Sequence, residues 1–342
     1  GLDFELQKSF LAAANEFYPK ISGIRLSTRA DYIDEKIVDM LCEYNVTAVE
    51  LGVQSTDTDV LEKNLRGHGF EDVKKAAELI EGRDIELGLQ MMIGMYGSTP
   101  EKDIKTAEDI ISLKPQTTRI YPTVTLKGTK LEEYYKNGLY KPYSLEEAVE
   151  VSKEVYKRFE NAGVTVLRIG LHSSDELEDG SIVAGPYHPA FGELVFSRLC
   201  RDEIEKEILD KMMNVLNQFH FDNFCTHPTP ILLQVSMFLA ENEDYYKTLI
   251  SVPECDQFLN KLLDIFIAYI KEDTSIPEEI RHSKAFLIRA SYFAGGLSNL
   301  YVEYFKGKLD CSLYDIPAEV GLIFQELDVN SFNKRMLSHK TN

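Results

Sequence analysis

The sequence has no closely spaced cysteines. The five that it contains are far apart and odd in number: Cys42, Cys200, Cys225, Cys255 and Cys311. This spacing argues against a disulfide framework and predicts a protein of the reducing cytoplasm. It also fits no zinc or iron–sulfur ligand pattern, so we interpret the thiols as structural or incidental.

Long apolar runs are also missing. No uncharged apolar stretch reaches about 18 residues, so the sequence predicts no membrane-spanning helix. The first residues, Gly-Leu-Asp-Phe-Glu-Leu-Gln-Lys, lack the basic segment and the apolar core of a signal peptide. An apolar content of 44% is nevertheless enough for packed cores.

Basic residues are outnumbered by acidic ones, 37 to 56, which gives a net charge of −19. Such a chain repels nucleic-acid phosphates unless a local basic patch overcomes its field. One patch is suggestive, and it consists of Lys127, Lys130, Lys136 and Lys141. A solvated protein surface explains these lysines equally well.

Glycine is rare in the second half of the chain. Sixteen of the twenty glycines lie in residues 1–196. Alternating strands and helices need glycine turns, whereas a helical bundle needs few. We therefore predict two domains, 1–195 and 196–342, with different architectures.

The first domain alternates between apolar or β-branched runs and amphipathic stretches. The predicted strands are Ile24–Arg29, Ala48–Ser55, Ile85–Met95, Arg119–Leu126 and Val164–Leu171, and helices are predicted over Ile33–Tyr44, Phe70–Ile80 and Lys102–Leu113. This alternation predicts right-handed βαβ units in a parallel α/β sheet, as in a partial or complete β/α barrel. Capping boxes are predicted at Ser98–Glu101 and Ser144–Glu147, and Gly163 is predicted to end a helix.

The second domain has a helical pattern almost throughout. Predicted helices cover Glu203–Phe219, Pro230–Ala240, Phe258–Lys271, Lys284–Phe305 and Ile316–Glu326. The glycine pair Gly295-Gly296 interrupts the longest of these helices, Lys284–Phe305. Close approach of two helices at a dimer interface would explain this pair, and a kink explains it equally well. The sequence thus predicts an all-α helical bundle.

Several short motifs follow one another in the first domain. They are Ser27-Thr28-Arg29-Ala30-Asp31-Tyr32, Glu50-Leu51-Gly52-Val53-Gln54-Ser55, Arg66-Gly67-His68, Gln90-Met91-Met92-Ile93-Gly94-Met95 and Ile120-Tyr121-Pro122-Thr123. Together they resemble the later half of a radical S-adenosylmethionine (SAM) enzyme of the Elongator-subunit-3-like group. The resemblance implies SAM and a [4Fe–4S] cluster as cofactors. By analogy with the Elongator-subunit-3-like group, the resemblance also implies a tRNA substrate.

The resemblance also implies a set of cofactor-binding residues. The strand that carries Glu50, Gln54 and Ser55 would lie beside the sugar and amino acid portion of SAM, and the strand with Met92 and Gly94 beside the adenine. Arg29 could hold a carboxylate. Tyr121, the candidate catalytic residue, could supply a hydroxyl or a stacking face.

Structural explanations remain open for the same residues. Glu50 and Gln54 could simply bond backbone at a strand end, and Arg29 could form a salt bridge with Glu50 or Asp31. Tyr121 and Met92 could belong to the core. Three histidines have equally plain explanations: His68 as an exposed loop residue, and His172 and His188 as structural side chains.

The cluster-binding sequence of the family, Cys-x3-Cys-x2-Cys, does not occur in this chain. In the family these cysteines follow the first barrel strand, whereas this sequence starts near the helix after the second strand. Cys42 is alone on a predicted helix and cannot substitute. We therefore expect no radical chemistry from the chain as it stands, unless a further segment supplies the cysteines.

The second domain resembles the effector-binding and dimerisation part of a TetR-type regulator. The resemblance rests on Glu193–Leu199, Phe238–Ile250 and Ser291–Phe305. It implies a homodimer through the C-terminal helices and a small apolar ligand, with aromatic side chains in a pocket or simply in the core. No helix-turn-helix precedes residue 192, which argues against DNA binding.

Two functional hypotheses follow. The first is a chimeric or truncated chain that joins a partial radical SAM barrel to a helical ligand domain, inactive unless the cluster ligands are supplied. The alternative is a regulator-like module that senses a small apolar ligand as a homodimer, with the barrel as a scaffold.

Overall fold

The computed structural model of the chain describes residues 2–172, 180–217, 229–241, 243–251 and 277–326, together with residues 264, 267, 268 and 272. The chain folds as two compact units, Gly1–Cys200 and Arg201–Asn342. The division falls within helix α8 (Phe191–Leu216). In the part of the chain that the structure describes, no helix is long and apolar enough to cross a membrane.

A five-stranded parallel sheet organises the first unit. Its strands are β1 (Ile24–Thr28), β2 (Val46–Gln54), β3 (Glu86–Ile93), β4 (Thr117–Pro122) and β6 (Thr165–Ile169), and they pair in chain order. A separate antiparallel pair consists of β5 (Thr125–Leu126) and β7 (Ile182–Ala184). Parallel neighbours in chain order, with helical crossovers, are the arrangement of a partial β/α barrel. The predicted fold class of this unit is confirmed.

Seven α-helices precede α8 in the described part of the first unit. They are α1 (Phe4–Asn15), α2 (Glu35–Glu43), α3 (Thr58–Lys63), α4 (Phe70–Ile80), α5 (Pro100–Ser112), α6 (Lys130–Lys136) and α7 (Leu145–Asn161). The pattern of apolar residues did not indicate α1, because this helix buries only Leu11 and leaves Phe10 58% exposed. The amphipathic helices α2, α4 and α5 lie where the pattern predicts them.

Alternate residues of β2 lie on two chemically different faces of the sheet. Val49, Leu51 and Val53 are fully buried in the core together with apolar residues of α2, α4, α5 and α7. Burial of each such side chain contributes about 1.5–3 kcal/mol. Glu50 and Gly52 occupy the other face, because successive side chains of a strand point in opposite directions. This second face carries the candidate site.

Capping residues set the helix boundaries. Ser144 and Glu147 form the predicted capping box at the start of α7, and Gly163, with φ of 73°, follows the end of that helix. The capping box predicted at Ser98–Glu101 is wrong. The N-cap residue of α5 is Thr99, whose side chain accepts from the Lys102 amide, while Ser98 donates to a buried carboxylate.

The second unit is helical wherever it is described. Besides the end of α8, it contains α9 (Thr229–Ala240), α10 (Glu243–Ser251), α11 (Glu278–Arg281), α12 (Lys284–Phe305) and α13 (Asp315–Glu326). Its core includes Phe238, Tyr246 and Phe286, whereas Tyr292 is 77% exposed. The predicted helix Phe258–Lys271 lies almost wholly outside the described residues. The predicted helical architecture is confirmed for the rest.

Candidate functional site

A buried carboxylate joins three strands on the sheet face opposite the helices. We call this surface the polar face and define it by Arg25, Ser27, Glu50, Gln90 and Arg119. Glu50, only 2% exposed, accepts from Arg119 Nε at 2.7 Å and Nη2 at 3.0 Å, and from Gln90 Nε2 at 2.6 Å. Arg25 Nη1 adds a fourth bond at 3.2 Å. The polar residues of this face therefore form hydrogen bonds with one another.

The charge of Glu50 is stabilised by these donors. Burial alone would raise the pKa of its carboxyl group, and this is the largest single influence. The hydrogen bonds from Arg119 and Gln90, with the positive charge of Arg119, outweigh it and hold the pKa below its usual value. Glu50 is thus an ionised anchor with four hydrogen-bond donors from the protein itself.

Gly88 makes room for this anchor on the neighbouring strand. It is the register partner of Glu50 in β3. A Cβ at Gly88 would lie 2.9 Å from Glu50 Cγ and 2.9 Å from Thr117 Oγ1. No side chain fits there without displacing one of these groups, so the absence of a Cβ lets the Glu50 side chain cross β3 to reach Arg119 on β4.

Met92 and Tyr121 extend the polar face toward the carboxyl ends of the strands. They are register partners on β3 and β4, and both are half-buried. Tyr121 lies two residues after Arg119. Glu50 is the main cause of the raised pKa of Arg119, and the Tyr121 side chain adds a smaller effect. The structure therefore brings the candidate catalytic Tyr121 beside the Glu50 network, while Met91 lies in the core.

Gln54 and Ser55, predicted together, separate at the end of β2. Gln54 has φ of 67° beyond a bulge, and its side chain folds back over Gly52, where a Cβ would lie 2.7 Å from Nε2. Ser55 is buried, with Oγ 3.4 Å from Thr106 Oγ1 and accepting from the Asp57 amide at 3.2 Å. Gln54 thus remains at the polar face, whereas Ser55 fixes the turn.

Arg29 follows β1 and binds its neighbour in sequence. Its Nε and Nη2 donate to Asp31 at 3.0 and 2.8 Å, and the guanidinium lies 5.1 Å from the centre of the Tyr32 ring. The structure therefore contains the salt bridge to Asp31 that the sequence left open. The side chain remains 39% exposed, at the same end of the sheet as Gln54.

Arg66 is a candidate that the sequence gave no role. Its Nε is buried and has no hydrogen-bond partner among the described residues. Burial lowers the pKa of its guanidinium, and the nearby positive charge of Arg29 lowers it further. A partly desolvated guanidinium with no counter-ion in the described part of the chain is suited to a carboxylate or phosphate. The Arg-Gly-His motif was visible in the sequence, but the burial of Arg66 was not.

His68 fixes the loop that carries Arg66. The side chain is 7% exposed, so its interpretation as an exposed loop residue is wrong. One ring nitrogen lies 3.1 Å from the Arg66 carbonyl oxygen and the other 3.0 Å from that of Gly52. His68 thus ties the loop to β2. His188 has the structural role expected of it, because Nδ1 accepts from the Ala190 amide at 3.1 Å.

Gly94 begins a tightly held loop after β3. Its φ is 69°, and its amide donates to Asp103 Oδ2 at 2.9 Å. Tyr140 donates to the Gly94 carbonyl at 2.8 Å, and Ser98 and Tyr143 donate to Asp103 at 2.5 and 3.0 Å. Burial is the main reason why the pKa of Asp103 is raised to about 6. The loop at the predicted adenine position is therefore rigidly anchored.

The described residues do not fit an iron–sulfur cluster. Cys42, Cys200 and Cys311 are exposed, free thiols, and Cys225 and Cys255 lie outside the described residues. Across the described ranges, no three His, Cys, Asp or Glu side chains are grouped so that they could hold a metal ion. Three thiolates at close spacing would be needed to bind such a cluster in this family, and this sequence does not contain them.

Two family models match consecutive parts of the chain. The Radical SAM superfamily model covers residues 2–110, and the Radical_SAM C-terminal domain model covers residues 115–201. The first model ends within the first unit, and the second ends at residue 201, one residue past the division between the two units. They give no support to the TetR-type resemblance of the second unit, which stays a prediction.

Curated relatives are similar to part of the chain. A tRNA uridine(34) acetyltransferase of Methanocaldococcus jannaschii is 40% identical over 129 residues, which are 37% of this chain and 24% of the relative. The Elongator complex protein 3 of Bos taurus is 27% identical over 198 residues, 55% of this chain and 35% of the relative. The chain thus spans between a quarter and about a third of these relatives.

A solved structure is also similar. The archaeal Elp3 of Methanocaldococcus infernus with an N-terminal deletion is 33% identical, with a TM-score of 0.49, covering 53% of this chain and 42% of that one. The Radical SAM superfamily model spans the motifs around Glu50, Arg66 and Gly94. Residues 2–110 and 115–201 thus match two radical SAM models, and the chain resembles Elongator complex protein 3 over part of its length.

Proposed function

We propose that the first unit binds SAM at the carboxyl ends of β1–β3, as the cofactor-binding part of a tRNA-modifying radical SAM enzyme. The observation that carries this proposal is the buried, unpartnered Nε of Arg66. In barrel enzymes, ligands bind at the carboxyl ends of the strands. Arg66 lies at that end of the sheet, in the loop that His68 ties to β2.

Each residue has a defined part in this proposal. Arg66 pairs with the carboxylate of SAM, and Gln54 offers its amide to the amino acid or sugar portion. Met92 and the anchored Gly94 loop line the adenine side. Glu50 acts as a positioning residue, because four protein donors already occupy its carboxylate. Arg29 keeps its partner Asp31 and adds positive charge nearby.

Radical cleavage is not part of what this chain does by itself. The cluster supplies the electron in this family, and the described residues do not fit it. We therefore expect SAM to bind without being cleaved to 5′-deoxyadenosine. A polypeptide segment that supplies three cysteines would be required for turnover.

The substrate part of the proposal rests on the relatives. One is named as a tRNA uridine(34) acetyltransferase, and this chain covers 24% of its length. The net charge of −19 means that any RNA contact must come from a local surface and not from the overall field. The exposed, free thiols suit the reducing cytoplasm in which such a substrate occurs.

Calorimetric titration with SAM tests the proposed cofactor site. Arg66→Gln should raise the Kd about tenfold or more, since a charge-assisted hydrogen bond contributes roughly 1.5–3 kcal/mol. Arg83→Gln is the matched control, because Arg83 pairs with Asp39 at 3.1 Å and is 43% exposed. Equal affinity of Arg66→Gln and the wild-type chain would contradict the proposal, as would absence of SAM binding.

A second candidate function concerns the helical unit, which we propose forms a homodimer through α12. Tyr292 and Ile288 are 77% and 62% exposed on this helix, one turn apart. A Cβ at Gly295 or Gly296 would meet nothing within 4 Å in the described part of the chain. An apolar helical stripe with small residues suits close approach of a second helix. A small apolar ligand remains part of this second candidate.

Sedimentation analysis of the full chain tests the dimer. Tyr292→Glu should shift the protein toward monomer, because a charge at the centre of the interface would be desolvated. Tyr314→Glu, at a position 52% exposed in the same unit, should leave the mass unchanged. A wild-type chain that stays monomeric at high concentration would refute this candidate.

A further inference from the structure

Two tyrosines pack together beside the carboxyl end of the sheet. Tyr96, in the loop after β3, and Tyr134, on α6, have ring centres 4.8 Å apart and ring planes inclined by 36°. Both side chains are half-buried, so part of each ring is open to solvent. We call this pair the tyrosine platform. Neither ring is assigned a contact with SAM in the proposed cofactor site, although Tyr96 lies in the loop that Gly94 begins.

Neighbouring residues fix the position of the tyrosine platform. Tyr140 packs edge-on against Tyr96, with ring centres 6.1 Å apart, and donates to the Gly94 carbonyl at 2.8 Å. Asn64 donates to the Tyr96 carbonyl, also at 2.8 Å. Two strand ends and the segment around α6 therefore fix the position of the rings. A preorganised aromatic surface loses little conformational entropy when a ligand binds.

Lysines flank both rings. The Lys63 ammonium lies 5.8 Å from the centre of Tyr96, and the Lys130 ammonium 5.5 Å from the centre of Tyr134. Each also pairs with a carboxylate, Lys63 with Asp59 and Lys130 with Glu133. These pairs are exposed and weak, so the ammonium groups can contact an incoming anion at small loss.

The surroundings of the platform are basic in an otherwise acidic chain. Residues 126–141 contain four lysines and two glutamates and therefore carry a net charge of +2, against −19 for the whole sequence. Glu132 and Glu133 pair with Lys136 and Lys130. Within the described ranges, Lys127 and Lys141 form no salt bridge. The local field thus favours a ligand that carries negative charge beside an aromatic group.

We propose that the tyrosine platform stacks an unpaired base of RNA while Lys127, Lys130 and Lys141 contact its flanking phosphates. The proposal rests on the proposed function, whose substrate it specifies as a nucleotide outside a duplex. Aromatic side chains bind bases through an exposed ring face, and a base inside a duplex does not offer one. With only a few lysines involved, the salt dependence of binding should be shallow.

Titration of labelled RNA by fluorescence anisotropy, with the full chain, tests this site. The probes are a stem–loop RNA with an unpaired loop and a blunt RNA duplex of equal length. We expect the wild-type chain to prefer the stem–loop, and Tyr134→Leu to weaken that binding about tenfold. Tyr134→Trp should retain the affinity. Because the chain has no tryptophan, this variant contains a single one, and a stacked base should quench its fluorescence on selective excitation.

Matched controls separate stacking from charge and from folding. Lys130→Ala should weaken stem–loop binding several-fold. Lys74→Ala should not, although Lys74 has the same kind of surroundings: it pairs with Glu71 and lies 4.9 Å from the Phe70 ring. Tyr314→Leu, an exposed tyrosine of the second unit, should also leave binding unchanged.

Two results would overturn the platform: equal stem–loop affinity of Tyr134→Leu and wild type, or equal affinity of the wild-type chain for stem–loop and duplex. SAM titration of the same variants distinguishes failure of the RNA-binding proposal from failure of the proposed SAM site. Tyr134→Leu should bind SAM as the wild type does. A wild-type chain that stacks RNA but binds no SAM would contradict the cofactor proposal and leave the platform supported.

Discussion

Glu50 on β2 binds Arg119 on β4 across the intervening strand, through two hydrogen bonds of 2.7 and 3.0 Å. The contact spans the full width of β3 because Gly88 presents no side chain between them. A carboxylate so placed orders groups from three other strands, since it also accepts hydrogen bonds from Gln90 on β3 and Arg25 on β1. The polar face is thus organised around one anion.

Replacement of Glu50 should destabilise the first unit. Glu50→Ala leaves the guanidinium of Arg119 and the amide of Gln90 without their acceptor, and breaking such a buried pair costs roughly 3–5 kcal/mol. Partial exposure of Arg25 and Arg119 should reduce the loss to about 2–4 kcal/mol. Urea unfolding measures the change. Glu71→Ala is the control, and a loss no larger than for that exposed residue would contradict the anchoring role.

Gly88→Ala should destabilise the first unit, although it adds only one methyl group. Its Cβ would meet Glu50 Cγ and Thr117 Oγ1 at 2.9 Å, so the carboxylate or the strand must move. Overpacking of this kind costs about 1–3 kcal/mol. Gly69→Ala, where nothing lies within 4 Å of the new methyl group, provides the comparison in the same urea experiment. Equal midpoints for the two variants would disprove the steric argument.

The sheet could be predicted because its signals are local. β2 and β3 are runs of β-branched and apolar residues, and glycine turns separate them from amphipathic helices. Helix α1 escaped prediction since much of its apolar surface, including Phe10, stays exposed. The predicted strand Arg119–Leu126 divides into the end of β4 and the short β5. The pairing of β5 with β7 escaped prediction, because these strands are far apart in sequence and only two or three residues long.

The candidate site was harder to predict, because its chemistry depends on distance and burial. The motifs located Glu50, Gln54 and Gly94. Gln54 and Gly94 lie at the carboxyl ends of β2 and β3, whereas Glu50 lies within β2. The sequence could not reveal that Arg119 binds the Glu50 carboxylate, or that Nε of Arg66 is buried with no hydrogen-bond partner among the described residues. Both facts arise from contacts between distant parts of the chain, and no spacing along the chain encodes them.

His68→Ala should loosen the loop that carries Arg66. The substitution removes the ring nitrogens that lie 3.0 and 3.1 Å from the carbonyl oxygens of Gly52 and Arg66. An imidazole with one N–H donates to one of these oxygens, and leaving a buried acceptor unsatisfied costs about 1–3 kcal/mol. Stability should fall by about 1–3 kcal/mol, and SAM affinity should fall with it. His282→Ala, at an exposed position of the second unit, is the control. Unchanged SAM affinity in His68→Ala would separate this loop from the cofactor site.

Asp103 should make the stability of the first unit depend on pH. Burial raises the pKa of its carboxyl group to about 6 in the folded chain, from 3.8 as the reference value. Between these values the folded chain binds more protons than the unfolded chain, so the free energy of unfolding falls as pH rises from about 4 to about 6. The difference between the two pKa values corresponds to at most about 3 kcal/mol.

Asp103→Asn isolates this contribution, because asparagine does not titrate. The stability advantage of wild type over the variant should be largest near pH 4 and should shrink as pH rises through about 6. Glu50 contributes with the opposite sign, since its lowered pKa stabilises the fold above its titration range, but it does so equally in both proteins. Urea unfolding at several pH values measures the difference, with the exposed Asp84→Asn as control. An advantage that stays constant with pH would mean that Asp103 remains ionised throughout, held by Ser98, Gly94 and Tyr143.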